Sequence, residues 1–221
     1  MSVSDYIFIA FPAMFVILNP FSAASSFLTL TAAQTEEEQY RTAKRACITA
    51  FVVLVIFGLT GHFIFKMFNI TLQAFRIAGG IIMFTIGMNM LNMRPTRIKQ
   101  TEEEMEEGMQ RQDVAIIPLG TPMLSGPGAI TTIMVLMTEI DKKSTFNGIL
   151  QMAGLFISCG LCLFLIYFIM INSRKLMEWL KITGVGVMTR IMGLILTVIA
   201  TQFVINGVRD LLPEFSKILS R

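Results

Sequence analysis

Histidine, tryptophan and cysteine are nearly absent: one, one and three in 221 residues. A single histidine, His62, excludes a histidine-rich metal centre and offers acid–base chemistry no partner. No Ser/His or paired-aspartate arrangement stands near it, so an enzyme is not expected. Cys47, Cys159 and Cys162 all fall in apolar stretches, a poor setting for zinc, and no metal or other cofactor is expected. Cys159 and Cys162 are three apart, hence on one helical face, as ordinary packing requires. Charge is also scarce, at 15% of residues against 54% hydrophobic, with a mean hydropathy of +0.67. That is too apolar for an ordinary soluble domain. The net charge of +3 is scattered over short polar segments without interleaved aromatics, which argues against a nucleic-acid partner. No Lys or Arg precedes the first apolar run, so it reads as a retained helix and not a cleaved signal.

What the sequence has is long neutral runs. They span Tyr6 to Thr35, Ala46 to Phe65, Ile77 to Met93, Val114 to Thr138, Ser144 to Ser173 and Ile191 to Val208. Each is near bilayer length, which predicts six membrane helices and the lipid bilayer as the main surroundings. His62, near the end of the second run, reads as interfacial. Glu36 to Glu38 follow Thr35 with the spacing of a capping box.

The fourth run is unusual. Pro118, Gly120, Pro122, Gly126, Pro127 and Gly128 lie in its middle. Proline deletes a backbone donor and glycine is a poor helix former. In lipid the freed groups need partners in protein or in a polar cavity. The pattern predicts a break near Ser125-Gly126 and a restart at Pro127, since proline suits the first helical position. The restarted half-helix would offer free N–H groups at Gly128, Ala129 and Ile130 to an anion.

The first run carries the same device. Asn19 is placed as an N-cap and Pro20 as the first helical residue. Aligning Pro20 with Pro127 pairs Ser25 with Thr132. Ser22, Ser25, Ser26 and Thr29 then share one face, which suits a solute path or close helix packing equally. The third and sixth runs also correspond. Arg76 matches Arg190, Ile77 matches Ile191, Gly79 matches Gly193 and Asn92 matches Asn206, all at one offset. A repeat of three crossings must be inverted in the membrane. Inverted repeats with broken helices point to a transporter site near the midplane.

The expected architecture is therefore an all-α membrane protein with six transmembrane helices in two inverted three-helix repeats. Helices 1 and 4 are broken at Asn-Pro and Gly-Pro-Gly. The repeats cover 1–93 and 114–221, joined by a polar cytosolic linker at 94–113. Helix 6 is expected from about Val187 to Leu212, ended by Pro213, after a polar segment from Arg174 to Gly186. Loop Lys and Arg divide ten against six, which places both termini outside the cytosol.

The residues that carry this pattern resemble the MarC family of six-helix membrane proteins, also called the neutral amino acid transporter family. The matching stretches are Asn19-Pro20-Phe21-Ser22, Phe75 to Gly80, Pro118 to Thr132, Arg190 to Gly193, and Gln202 to Gly207. Many members look to have Asp-Pro where this chain has Asn19-Pro20, which removes a carboxylate that could carry a proton. The resemblance implies transport of a small neutral amino acid such as glycine or alanine across the cytoplasmic membrane. It does not imply drug efflux.

A zwitterion needs donors for its carboxylate and acceptors for its ammonium. The expected donors are the N–H groups of Phe21, Ser22, Gly128 and Ala129. The expected acceptors are carbonyls around Leu18 and Leu124, the Asn19 side chain, and the hydroxyls of Ser25 and Thr132. Gly126 and Gly128 let a solute approach the backbone, and Pro20 and Pro127 start the two half-helices. Arg76 and Arg190 either help hold the carboxylate or extend to the headgroups. The expected coupling ion is H⁺ or Na⁺, with simple exchange as the alternative. The competing readings are a channel for small neutral solutes, with paired half-helix dipoles that exclude ions, and a membrane subunit that transports nothing.

Overall fold

The structure is a computed structural model and describes residues 2–92, 115–140 and 144–219. The predicted linker at 94–113 lies outside the described residues. Those residues are almost entirely helical: α1 (Val3–Leu18), α2 (Pro20–Leu30), α3 (Glu36–Met67), α4 (Leu72–Leu91), α5 (Ala115–Leu124), α6 (Pro127–Thr138), α7 (Thr145–Ile171) and α8 (Ser173–Leu219). Five helical stretches are long and apolar enough to cross a membrane, namely Val3–Leu30, Glu36–Met67, Leu72–Leu91, Thr145–Ile171 and Thr183–Leu212. In the first of these, α1 and α2 run on across the Asn19-Pro20 break.

The helix starts are set by local chemistry. Ser2 caps α1 and Thr35 caps α3, each in a reciprocal capping box, with Asp5 and Glu38 as the acidic members. Thr71 caps α4 and Ser144 caps α7 through their side-chain oxygens. α5 is wound as a π-helix. Pro118 and Pro122 remove two N–H donors there, so a regular α ladder cannot close. The wide winding ends where the Ser125 N–H donates to the Gly120 carbonyl, five residues back, at 3.1 Å.

Two expectations about the C-terminal region need correction. The polar segment from Arg174 to Gly186 is helical, and Lys181 (φ 55°, ψ 176°) interrupts α8 within it. A bulky residue at positive φ is strained, so the kink marks where the polar turn meets the apolar span. Trp179, exposed beside it, suits an interfacial position. Nor does Pro213 end the last helix, since α8 continues to Leu219. A proline costs its helix one backbone bond and bends it, without obliging it to stop.

Packing follows membrane logic. The outward face of α3 carries Val52, Ile56, Leu59 and Phe63, and its inward face carries Ala43, Ala46, Ala50 and Gly58. On α7, Ile157, Leu161, Phe164 and Phe168 point out while Gly154, Ser158, Cys159 and Cys162 are buried. Large apolar side chains outside and small residues inside are what lipid-exposed helices need, because small residues let backbones approach. Cys159 and Cys162 pack in the core with Tyr6, Ala10 and Met14 of α1, and the Cys162 thiol approaches the Phe11 carbonyl at 3.6 Å.

α4 and α8 pack antiparallel along their length. Gly80 faces Ala200, Gly87 faces Gly193, and Gly207 faces Gln73. On each helix these positions recur every seven residues, which keeps one seam in contact. α1 lies against α6 and α7, α2 against α7 and α8, and α3 against α5, α6 and α7. One end of the assembly is pinned by polar contacts. The Tyr6 hydroxyl, wholly buried, donates to the Leu136 carbonyl at 2.8 Å, and the Arg76 ion pairs described below lie at the same end.

Candidate functional site: two helix breaks and a buried arginine

The break in the first span is built from Asn19. Its backbone is left-handed, with φ 45° and ψ 76°, a conformation that asparagine tolerates better than other residues with a side chain. That turn ends α1 and lets Pro20 open α2. The Asn19 Oδ1 accepts from the Ser22 N–H at 3.3 Å, and its Nδ2 donates to the Ser22 Oγ at 2.6 Å. The Ala23 N–H is bonded to the Asn19 carbonyl at 3.0 Å. Of the N–H groups expected to face a solute here, Ser22 is therefore taken by the cap. Phe21 keeps its first-turn donor.

The second break has a simpler chemistry. Gly126 is the N-cap residue of α6, with no side-chain cap, and Pro127 is the first helical residue. The Ile130 N–H is bonded to the Gly126 carbonyl at 3.0 Å, so Ile130 does not contribute a free donor as expected. Gly128 and Ala129 do, as residues of the first turn. Both are buried. The Ser125 hydroxyl donates to the Gly120 carbonyl at 2.8 Å, which fixes the end of α5.

The two breaks are neighbours. A Cβ placed on Gly128 would come within 2.9 Å of Ile17 Cδ1, just before Asn19, and of Ile86 Cδ1 on α4. The donors of Phe21, Gly128 and Ala129 thus open half-helices whose breaks lie side by side, in the interior of the assembly. Thr132 is one turn further along α6, fully buried, and its hydroxyl donates to the Gly128 carbonyl at 2.8 Å. Pro20 and Gly126 are buried, Phe21 and Ser22 half-buried, and Pro127 exposed. Ser25 is exposed on α2, so its hydroxyl does not point into the core beside Thr132.

The cap at Asn19 makes a graded prediction. Asn19→Asp keeps both the cap and the left-handed turn and should change stability little. Asn19→Gly keeps the turn and loses the cap, costing a few tenths of a kcal/mol. Asn19→Ala loses both, and the left-handed penalty and the cap together cost about 2–3 kcal/mol. Thermal unfolding of the detergent-solubilised variants checks the order, and equal stability of the Gly and Ala variants would contradict it.

The two arginines part company. Arg190 is exposed. Arg76 is buried, with its side chain only 9% exposed, and makes two ion pairs at the far end of α6 from the break. Its Nη2 lies 2.6 Å from the Glu139 carboxylate and its Nη1 2.5 Å from that of Asp210. α6 is twelve residues long, so Arg76 sits roughly 17 Å from the Gly128 donors at 1.5 Å per residue. It is set apart from the half-helix donors, and its side chain is taken up by the two carboxylates. One guanidinium ties the start of α4, the end of α6 and the end of α8.

Glu139 and Asp210 were not among the expected site residues, because both fall just outside the neutral runs. The signal was Arg76 itself. A cation in an apolar setting calls for a counter-ion, and the acids at the ends of the fourth and sixth runs meet it at one end of the assembly.

The comparison with known sequences agrees with this architecture. Residues 4–212 match the family described as MarC family integral membrane protein. The chain belongs to the MarC family. Its relatives include a UPF0056 membrane protein of Methanocaldococcus jannaschii, 36% identical over 94% of this chain and 98% of that one. A second, from Pyrococcus horikoshii, is 41% identical over 91% of this chain and 93% of its own length. A third, YhcE of Escherichia coli, is 32% identical over 92% of each chain. These names state a membrane location and no substrate. No solved structure matches the chain. As a MarC protein it is an integral membrane protein with several apolar helices.

Proposed function

We propose that this MarC protein is a secondary transporter of small neutral amino acids, glycine or alanine in size, working by alternating access in the cytoplasmic membrane. The observation that carries the proposal is the meeting of the two breaks. Phe21 opens one half-helix, Gly128 and Ala129 open another, and Gly128 packs against Ile17 beside the first break. Unpaired first-turn N–H groups at membrane depth suit a carboxylate. The carbonyls that end α1 and α5, with the hydroxyls near them, suit an ammonium. Pro20 and Pro127 set where the half-helices begin. Ser22 and Thr132 are the nearby hydroxyls, and Gly126 leaves room at the backbone. The chemistry is binding and movement, not catalysis.

In this reading α5 and α6 together form a sixth crossing. The chain is then two inverted repeats, 1–93 and 114–221, with both termini outside the cytosol. The antiparallel packing of α4 on α8 supports the repeat, since equivalent helices of inverted halves run oppositely.

The direct test is uptake of radiolabelled glycine and alanine into proteoliposomes that hold the purified protein, with and without proton or sodium gradients. Saturable uptake accelerated by preloaded amino acid is expected. Flux linear in solute would point to a channel, and no flux above empty liposomes would remove the amino acid assignment.

Gly128 gives the sharper variant. The atoms nearest its absent side chain are the ends of two flexible isoleucines, so Gly128→Ala should fold normally. Gly128→Leu puts bulk over the free donors. It should insert, at a packing cost of about 1–3 kcal/mol for this buried position, and lose uptake far beyond what that loss of stability explains. Normal uptake by the leucine variant would refute the site.

A further inference from the structure

The outward face of α8 carries a polar group that a bilayer does not satisfy. Ile191, Ile195, Val198, Ile205 and Leu212 are all exposed. With Gln202 and Arg209 they follow one another at alternating four- and three-residue steps, which keeps them on one face. The other sides of α8 are already occupied. Gly193, Ala200 and Gly207 lie against α4, and Leu196 and Phe203 pack in the core. The stripe is therefore turned away from the rest of the chain, and its large aliphatic side chains suit lipid or another helix, not an aqueous path.

Gln202 stands in the middle of this stripe. It lies roughly 15 Å along the axis from the Leu212 end of its span and roughly 28 Å from the Thr183 end. That is inside a hydrocarbon core about 30 Å thick. Its Nε2 donates to the Asn206 Oδ1 at 2.9 Å. Among the described residues, the Gln202 Oε1 and the Asn206 Nδ2 have no hydrogen-bond partner. Outward-facing hydroxyls differ in this respect. Thr60, Thr85 and Thr201 each donate to the carbonyl four residues back on their own helix, at 2.7, 2.9 and 2.8 Å. They need nothing from a neighbour. An acyl chain offers an amide neither donor nor acceptor, and an unpaired amide at that depth is costly.

We propose that the outward face of α8 is the contact between two copies of this chain, with the two Gln202 amides hydrogen-bonded across a two-fold axis. A second copy is the occupant for two reasons. An amide carries both a donor and an acceptor, so it complements itself. Copies inserted the same way round also hold every residue at the same depth. Their two-fold axis lies along the membrane normal and sets Gln202 against its equivalent. The two α8 helices then run parallel, with Ile191, Val198 and Ile205 at one position of the repeat and Gln202 at the other. A single polar residue in such a seam fixes register and the number of helices. The bond to Asn206 orients the Gln202 amide and leaves its carbonyl for the other copy. Arg209 shares the stripe but lies near the end of the span. There its exposed side chain extends to the headgroups, and the Asp210 carboxylate, 3.8 Å from its Nε, offsets its charge. The inference stands apart from the carrier reading and from any solute.

The test is made on the full chain, alone in proteoliposomes. Val198→Cys, one turn from Gln202 on the stripe, should give a disulfide-linked dimer with copper phenanthroline. Ile157→Cys, exposed in the middle of the α7 span, is the control at matched depth and should stay monomeric. The native cysteines are buried, and the parent gives their background. Gln202→Leu makes the middle of the stripe apolar and should insert as the parent does. Energy transfer between copies labelled at the C-terminus, read against lipid dilution, should show its dissociation constant raised about tenfold, the size of an interhelical polar contact. Gln202→Asn keeps an amide and should associate more tightly than Gln202→Leu. A parent that is monomeric at every lipid ratio would overturn the proposal, as would equal cross-linking at positions 198 and 157. Undiminished association of Gln202→Leu would overturn it too. A Val198→Cys adduct with a different protein in native membranes, with a monomer in proteoliposomes, would replace the second copy by another membrane partner.

Discussion

Arg76→Ala is expected to destabilise the protein by roughly 3–5 kcal/mol, the range for removing one partner of a buried ion pair. The asymmetry of the cluster explains the size. Cutting the guanidinium strands two carboxylates beside an apolar core, with the exposed Arg209 beside Asp210 among the described residues. Cutting one acid leaves the arginine with the other. Glu139→Gln or Asp210→Asn alone should therefore cost about 1–2 kcal/mol, between the values for exposed and buried pairs. The triple variant Arg76→Met, Glu139→Gln, Asp210→Asn removes every charge. It should recover much of what Arg76→Ala loses, because no unpaired ion remains. Thermal unfolding in detergent orders the variants. A triple variant as unstable as Arg76→Ala would mean that the arginine acts by packing and not by charge.

This expectation separates stability from transport. A cluster kept only to hold the fold would be dispensable once neutralised. A cluster that also acts in transport would give a neutral variant that is stable and folded yet slow in uptake. The neutral variant has little penalty to hide behind, so its uptake speaks to mechanism directly.

The helix breaks were legible in the sequence because each residue there has a local physical reason. Asn19 takes the left-handed turn and caps, Pro20 and Pro127 open helices, and Gly126 spares the chain a side chain at the junction. Such features depend on neighbours within a few positions. The count of crossings was legible only in part. Five stretches stand as long apolar helices, while the run from Val114 to Thr138 is divided between a π-wound segment and a twelve-residue helix. Composition registers the apolarity of that run but not its winding. The Arg76 cluster was not legible, since it joins residues distant in the chain, Arg76 and Asp210 being 134 positions apart. The internal correspondence of Arg76 with Arg190 was misleading for the same reason. Equal positions in two repeats met different partners, and one arginine is buried while the other is exposed. The acids that set them apart sit at run ends, where charge is commonplace.

The seam between α4 and α8 gives the second large effect. A Cβ on Gly87 would lie 2.9 Å from the Gly193 carbonyl and closer still to the Thr197 hydroxyl. A Cβ on Gly193 would lie 2.8 Å from the Gly87 carbonyl and 2.7 Å from Met90 Cβ. Backbone atoms cannot rotate aside, so either alanine pushes the helices apart. The cost belongs at the upper end of overpacking, about 3 kcal/mol, set against roughly 1 kcal/mol recovered from helix propensity. A net loss of about 2 kcal/mol is expected for Gly87→Ala or Gly193→Ala alone. The two glycines face each other, so one separation relieves both clashes. The double variant should then fall short of the sum by about 1 kcal/mol, a coupling of the size that contacting residues show. Strict additivity would mean that the helices bend locally at each site instead of parting. A leucine at Gly87 cannot be accommodated by parting of that size and should prevent a folded, monodisperse protein from being recovered. Because α8 also carries Asp210 and α4 carries Arg76, parting the seam loosens the ion pairs as well. Gly87→Ala should therefore weaken the coupling between Arg76 and Asp210 measured by a double-mutant cycle, whereas a substitution on the lipid face of α4, such as Ile81→Leu, should leave it unchanged.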